Sequence, residues 1–203
     1  MTKEIPILMA GPLVRATLAG LKTQTRRPIK RENEPDPGFE WAGCLCREID
    51  PSDTPCVTCS VRFPGIPNAG DRLWVRETWT AAMYDAKSPA DCLYRADDNR
   101  GVEDLGEAKW TPSIHMPRWA CRLVLPLVSV RVERVQDITE EDAKAEGVEP
   151  GISVQVSGKN VFIPINNGSY REGFRTVWQS IYGTWELNPW VWVAEWKDIE
   201  ART

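Results

Sequence analysis

The alternation of apolar and polar residues predicts that the chain is built mainly from β-strands. Apolar and polar residues alternate from Arg72 to Trp79, as in a strand with one buried face. The run Ile5–Met9 is apolar and predicts a short buried strand. Further strands are predicted directly after Gly20, at Cys92–Arg95, within Ala120–Val135, in a hairpin over Ser153–Ile165 and at Pro189–Ile199.

Three segments have the features of helices. Pro12–Ala19 has a proline in its first turn, and Gly20 directly follows it. In Asp137–Gly147, Thr139 is a candidate N-cap, acidic residues fill the first turn and a glycine ends the segment. In Ser169–Tyr182 apolar residues recur at helical spacing, and a glycine follows.

These elements predict an α+β fold. Six or seven strands interrupted by three helices are typical of a small mixed β-barrel flanked by the helices. We expect Pro126 to mark a bend or edge between two strands. The proline-rich and acidic stretches at about 28–68 and 81–110 show little periodicity and predict two irregular insertions. The 203 residues are then one domain, 1–203.

Composition and charge limit the classes of protein to which this chain can belong. The net charge of −4 argues against binding long nucleic acid by bulk electrostatics, although a local basic site for a nucleotide or short RNA remains possible. No apolar run is long enough to span a membrane, and the N-terminus lacks the apolar core of a secretory signal. We therefore expect a cytoplasmic protein without a membrane partner, whose cysteines are reduced unless they bind metal.

Four of the six cysteines fall within one predicted insertion. Four thiolates form a closed tetrahedral site for structural zinc, which would pin a loop too polar to form its own core. The alternative is a set of reduced loop thiols, because this spacing is tighter than in common zinc knuckles. The candidate zinc ligands are Cys44, Cys46, Cys56 and Cys59.

A basic segment follows the first predicted helix. It reads Gly20-Leu21-Lys22-Thr23-Gln24-Thr25-Arg26-Arg27. In a regular strand Thr25 points to one face, while Lys22 and Arg26 point to the other. Only a break in strand geometry beside Gly20 would bring Lys22 and Thr25 to one site. The alternative is that the lysine offsets the helix dipole and the arginines are solvated.

Two carboxylates stand in unusual places. Glu146 is at the C-terminal end of its predicted helix, where a negative charge is disfavoured by about 0.3–1 kcal/mol. Exposure of the Glu146 side chain to solvent would also explain a carboxylate at this position. Glu77 shares a strand face with the apolar Leu73 and Val75, so we expect it to pair with an arginine, with a place in a site as the alternative.

Several motifs together resemble the ASCH domains, which are PUA-like β-barrels associated with RNA and nucleotide chemistry. The segment from Gly20 to Arg27 is similar to their Gly-x-Lys-x-x-x-x-Arg signature. The segments 72–79, 114–119 and 188–193 resemble the larger ASCH proteins of phages and prophages. The resemblance covers about 5–199 except the two insertions, and it implies a PUA-like mixed barrel.

One branch of that family consists of small amidohydrolases that cleave N4-acetylcytidine to cytidine and acetate. The resemblance implies that Lys22 and Thr25 are catalytic, and aligning the later helix places the family glutamate on Glu146. In the implied mechanism, which needs no catalytic metal, Thr25 attacks the acyl carbonyl, Lys22 is the base and Glu146 moves a proton to the leaving amine or activates water.

The remaining candidates would contact the substrate, an N4-acylated cytidine. Arg26 or Arg27 would stabilise the oxyanion, and Trp74 or Trp119 would stack on the pyrimidine. Glu77 is a further candidate for contact with the substrate. Two alternatives remain: a non-catalytic module that binds nucleotide or short RNA, and a metal-stimulated ribonuclease.

Overall fold

The structure, a computed structural model, describes residues 2–29, 66–97, 109–156 and 159–201, with the backbone alone for 153–162 and 201. Their elements follow the chain in this order: β1 (Glu4–Leu8), α1 (Gly11–Leu18), β2 (Gln24–Pro28), β3 (Arg72–Arg76), β4 (Trp79–Ala81), β5 (Cys92–Tyr94), β6 (Leu123–Arg134), α2 (Glu140–Ala145), β7 (Gly151–Val156), β8 (Lys159–Pro164), α3 (Tyr170–Tyr182), β9 (Trp190–Trp196) and β10 (Glu200–Ala201). The chain divides into two compact units. The first comprises Met1–Gly20, Gly70–Leu127 and Trp196–Thr203, and the second Leu21–Ala69 and Val128–Glu195.

The first unit contains a mixed sheet. Strand β3 pairs with β1 in parallel and with the first part of β6 in antiparallel orientation, and β10 pairs with the other edge of β6. Leu73 and Val75 of β3 are buried, as alternation predicts. The antiparallel pair β4–β5 contributes Trp79 and Tyr94 to a buried cluster with Met116.

The second unit packs two helices against antiparallel strands. Strand β2 pairs with β9 along its whole length, from Gln24 opposite Glu195 to Pro28 opposite Val191. Helices α2 and α3 enclose a core in which Phe174, Trp178 and Trp185 are buried. The predicted hairpin is confirmed as β7–β8, in which Val156 lies opposite Lys159. This unit therefore holds β2 and the end of α2 in one compact body.

The predicted helix ends are confirmed. Thr139 caps α2, because its hydroxyl accepts a hydrogen bond of 3.1 Å from the Asp142 amide. Ser169 caps α3 in the same way. Gly20 follows α1 with a φ of 71°, and Gly183 ends α3 with a φ of 66°. Both glycines adopt the left-handed conformation that terminates helices and that other residues rarely adopt.

The α+β part of the predicted fold class is confirmed, and the strand interruption expected at Pro126 is wrong. The described residues form an α+β fold with a mixed sheet and three helices, and within these ranges no closed barrel is present. Pro126 does not separate two strands, because β6 runs unbroken from Leu123 to Arg134. Pro126 lies opposite Arg72, the first residue of β3, so the amide that proline lacks falls at the end of that ladder.

Further predictions concern the domain organisation, the zinc site and the membrane. The single-domain organisation and its insertions stay predictions, and the four candidate zinc ligands, Cys44, Cys46, Cys56 and Cys59, lie outside the described residues. Where the structure describes the chain, none of the helices has the length and apolar character that crossing a membrane requires.

Gly173 lets α3 approach the segment after α2 very closely. A Cβ atom at this position would lie 2.0 Å from the carbonyl oxygen of Glu149. We expect Gly173→Ala to lower the free energy of unfolding by about 1–3 kcal/mol, because the backbone must move to admit the methyl group. Chemical denaturation measures this loss. The control is Gly11→Ala, whose added Cβ would have no neighbour closer than 3.7 Å, and an equal loss there would contradict the explanation.

Candidate active site

The segment after Gly20 is fixed to the end of helix α2 by backbone contacts. Lys22 forms an isolated antiparallel bridge with Glu146. The Thr23 amide donates a 2.8 Å hydrogen bond to the carbonyl of Ala145. Strand β2 begins at the next residue, Gln24. The basic segment and the predicted glutamate, 124 positions apart in the sequence, are thus in direct contact.

Side chains on one face of this segment reach helix α2 and its C-terminal end. The Lys22 amine contacts Glu146, the Gln24 amide donates to the carbonyl of Asp142 at 2.6 Å, and Arg26 contacts the Asp142 carboxylate. These residues are two positions apart, which is the repeat of one strand face. The alternation expected from the sequence is therefore present.

Thr25 lies between two of these side chains and so belongs to the other face of β2. It is 1% exposed and pairs through its backbone with Ala194 of β9. The hydrogen bonds described for the Lys22 amine go to Gln24 and Glu146, and none goes to Thr25. The structure brings Lys22 and Glu146 together but does not bring Thr25 to them, and its catalytic role stays a prediction.

The Lys22–Glu146 pair is buried and closely bonded. Nζ of Lys22 donates to Oε2 of Glu146 at 2.7 Å, to the Glu146 carbonyl at 2.9 Å and to the Gln24 carbonyl at 2.7 Å. Lys22 is 1% exposed and Glu146 5%. Burial is the largest influence on Lys22 and lowers its pKa. The carboxylate of Glu146 opposes this shift, and the charges of Arg27 and Arg26 add to it.

The position of Glu146 now has a physical explanation. It is the C-cap of α2, where the helix dipole disfavours a carboxylate. Two cations offset that cost, because Lys22 holds Oε2 and Nη1 of Arg26 holds Oε1 at 3.2 Å. The alternative of simple solvent exposure is wrong, since Glu146 is buried.

Arg26 connects this pair to a larger set of charges. Its side chain is fully buried, and besides Glu146 it contacts Glu133 at 2.7 Å and Asp142 at 2.9 Å. Arg131 contacts the same two carboxylates at 2.9 and 3.1 Å, and it also pairs with Glu195. We call this set the ionic network: Lys22, Arg26, Arg131, Glu133, Asp142, Glu146 and Glu195.

Asp142 shows how the ionic network affects a carboxyl group. Burial alone would raise the pKa of Asp142, but the guanidinium groups of Arg26 and Arg131 hold it below its ordinary value. Asp142 is therefore ionised at neutral pH and neutralises part of the charge of both arginines.

The residues expected to contact substrate have varied surroundings. Arg26 forms ion pairs with three carboxylates, and its side chain is buried away from solvent. Arg27 is half-buried, and its Nη1 lies 3.4 Å from both the Arg26 carbonyl and the Tyr182 hydroxyl. The substrate roles of both arginines stay predictions.

The other three substrate candidates belong to the first unit. Glu77 is 1% exposed and accepts two hydrogen bonds from Arg122, at 2.9 and 3.0 Å, so its expected pairing with an arginine is confirmed. The guanidinium groups of Arg76 and Arg118 lie 5.4 and 5.7 Å from the centre of the Trp74 ring. Trp119 is 37% exposed and meets Trp79 edge-on at 5.4 Å. Their contact with substrate stays a prediction.

Sequence reasoning missed most of the ionic network. Arg131 and Glu133 lie on one face of β6, two residues apart, and Nε of Arg131 contacts Oε2 of Glu133 at 2.9 Å. Opposite charges at that spacing on a predicted strand were the available signal. The partners across the fold, Arg26 and Asp142, have no such local signal.

The pair can exchange a proton between an amine and a carboxylate inside a buried site, as general acid–base chemistry requires. In the described ranges, no group of three or more His, Cys, Asp or Glu side chains is arranged to hold a metal ion. Comparison of the chain with protein-family models, with curated proteins and with solved structures gave no match.

Proposed function

We propose that the protein is an amidohydrolase that removes the acyl group from N4-acylated cytidine-type nucleosides. One observation carries the proposal: Nζ of Lys22 lies 2.7 Å from Oε2 of Glu146, and both side chains are buried. The two residues were selected by separate arguments, the motif after Gly20 and the unfavourable helix position. Their contact is what a lysine–glutamate catalytic pair requires.

The proposed fold family follows from the same residues. We infer a PUA-like ASCH domain from the sequence motifs together with the α+β class, the mixed sheet and the three helices. The motif Gly20-Leu21-Lys22-Thr23-Gln24-Thr25 lies between α1 and the first residues of β2. The described strands alone do not close into a barrel, and the PUA-like barrel is the finer part of this proposal.

The chemistry adds the elements of water across the amide. A nucleophile oxygen bonds to the acyl carbon, the bond from that carbon to N4 breaks, and N4 takes a proton as cytidine leaves. A lysine with a lowered pKa is neutral in a larger fraction of molecules and can accept the proton of the nucleophile. Glu146, bonded to this amine, can pass the proton towards N4.

The nucleophile is either the Thr25 hydroxyl or water. In the first route an acyl-threonine forms and water hydrolyses it, which restores the hydroxyl and releases the carboxylate. In the second route the Lys22–Glu146 pair activates water directly. Because Thr25 lies on the other face of β2, the first route requires a shift of the chain at Gln24.

Purified protein is expected to release cytidine and acetate from N4-acetylcytidine, detected by chromatography. Thr25→Val separates the two routes, since it removes the hydroxyl and keeps the volume. Loss of turnover in Thr25→Val but not in Thr25→Ser would identify the threonine as nucleophile, and undiminished turnover would identify water. Thr23→Val is the matched control, because Thr23 belongs to the same motif. Folded protein that releases nothing from a panel of N4-acylated cytidines and cytosines would refute the function.

The nucleic-acid alternative has less support at these residues. A phosphate-binding module would use the charges of Lys22 and Arg26, yet both of these charges already form ion pairs with carboxylates. Binding of short RNA and metal-stimulated cleavage of RNA stay predictions. Including a short RNA in the same assay tests both.

A further inference from the structure

We propose that Arg26 is a positioning residue of the candidate active site: its guanidinium holds one carboxylate oxygen of Glu146, so that the other meets the Lys22 amine. This inference rests on the proposed function. It gives Arg26 a role different from the contact with substrate expected from the sequence.

The contacts of Arg26 show why its guanidinium is held in place. Nε and Nη2 both donate to Oε1 of Glu133, at 3.0 and 2.7 Å, and Nη2 also donates to Asp142 at 2.9 Å. Nη1 then points to Oε1 of Glu146 at 3.2 Å. A guanidinium is planar and rigid, so two fixed nitrogens determine the position of the third.

The burial and contacts of Arg26 favour an indirect role in this conformation. The side chain has no exposed surface, and it lies over the Phe174 ring at 5.9 Å. Its effect on a reaction therefore passes through Glu146. Since Glu146 offers its two oxygens to two different cations, moving one oxygen moves the other.

Arg131 provides a matched comparison within the same network. Arg131 shares Glu133 and Asp142 with Arg26, but the contacts described for it do not include Glu146. Removing either arginine takes one counter-ion from each of these two carboxylates. Only removal of Arg26 releases Glu146.

The charge of Arg26 also acts on the Lys22 amine. Among the described residues, the charged groups that influence Lys22 are Glu146, Arg27 and Arg26, and Arg26 opposes protonation of the amine. Without Arg26 this repulsion disappears, and Glu146 has Lys22 as its remaining described cation. Both changes favour the protonated amine, so Lys22 should titrate at higher pH.

The test compares Arg26→Met with Arg131→Met. The titration of Lys22 is followed by NMR of lysine side chains labelled with ¹³C, and Lys22→Met identifies its signal. In Arg26→Met we expect the titration and the rising limb of the kcat profile to move to higher pH. We also expect kcat to fall by about 10²-fold with KM unchanged, as for a misplaced catalytic group. In Arg131→Met the titration and the limb should keep their wild-type positions.

The proposal is overturned if the Lys22 titration moves equally in both variants or in neither. Failure of the proposed function is a separate result, because the NMR titration needs no turnover: inactive protein whose Lys22 titration moves only in Arg26→Met keeps the positioning contact and loses the reaction. If Arg26→Met does not fold, the charge-balanced variants R26M/E133Q and R131M/E133Q replace the pair.

Discussion

Arg122→Met is expected to lower the free energy of unfolding by about 3–5 kcal/mol, because it removes the counter-ion of a buried carboxylate. Glu77 is 1% exposed, and Arg122 supplies the two side-chain hydrogen bonds described for its oxygens. Chemical denaturation with linear extrapolation measures the change. The loss should shrink in acid, since burial raises the pKa of Glu77 and protonation removes the unpaired charge.

A nearly identical pair on the surface is the control. Arg118 also contacts both oxygens of a glutamate, Glu4, at 2.9 and 3.1 Å, but both side chains are partly exposed. Arg118→Met is expected to cost at most about 1 kcal/mol, because solvent screens an exposed pair. If the two variants lose equal stability, burial is not the reason for the effect at Glu77.

Lys22→Met is expected to reduce kcat for release of cytidine from N4-acetylcytidine by about 10²–10⁴-fold, because it removes the proposed base. The methionine fills most of the volume of the lysine, and Arg26 still holds Glu146, which limits the effect on folding. Steady-state kinetics measures the loss, and circular dichroism confirms that the variant is folded.

Lys144→Met is the matched variant for this experiment. Lys144 lies in α2, two residues before Glu146, but it is exposed and lies 5.9 Å from the Tyr170 ring. Its replacement should leave turnover unchanged. Equal activity losses in the two variants would mean that charge near α2, and not the buried amine, supports the reaction.

Features with local causes could be predicted from the sequence. The cap at Thr139, the left-handed glycines after α1 and α3 and the β7–β8 hairpin depend on residues within a few positions of one another. Glu146 could be singled out for the same reason, because the helix dipole acts over a single turn.

Features that depend on distant partners could not be predicted. Glu77 was expected to pair with an arginine, but the sequence does not indicate that the arginine is Arg122, 45 positions away. The interruption expected at Pro126 was wrong because a proline at the end of a ladder loses little hydrogen bonding. The sequence also does not indicate that three carboxylates, from Glu133, Asp142 and Glu146, surround Arg26.

The distance in sequence between Lys22 and Glu146 has a consequence for how the protein is made. A ribosome adds about 5–20 residues per second, so the 124 positions between them correspond to roughly 6–25 s of synthesis. Strand β2 can pair with β9 only later still, because β9 is synthesised after Glu146. During that interval Lys22 and Arg26 are without Glu146. The buried pair is thus assembled late, and a chain released before α2 is complete contains the lysine without its partner.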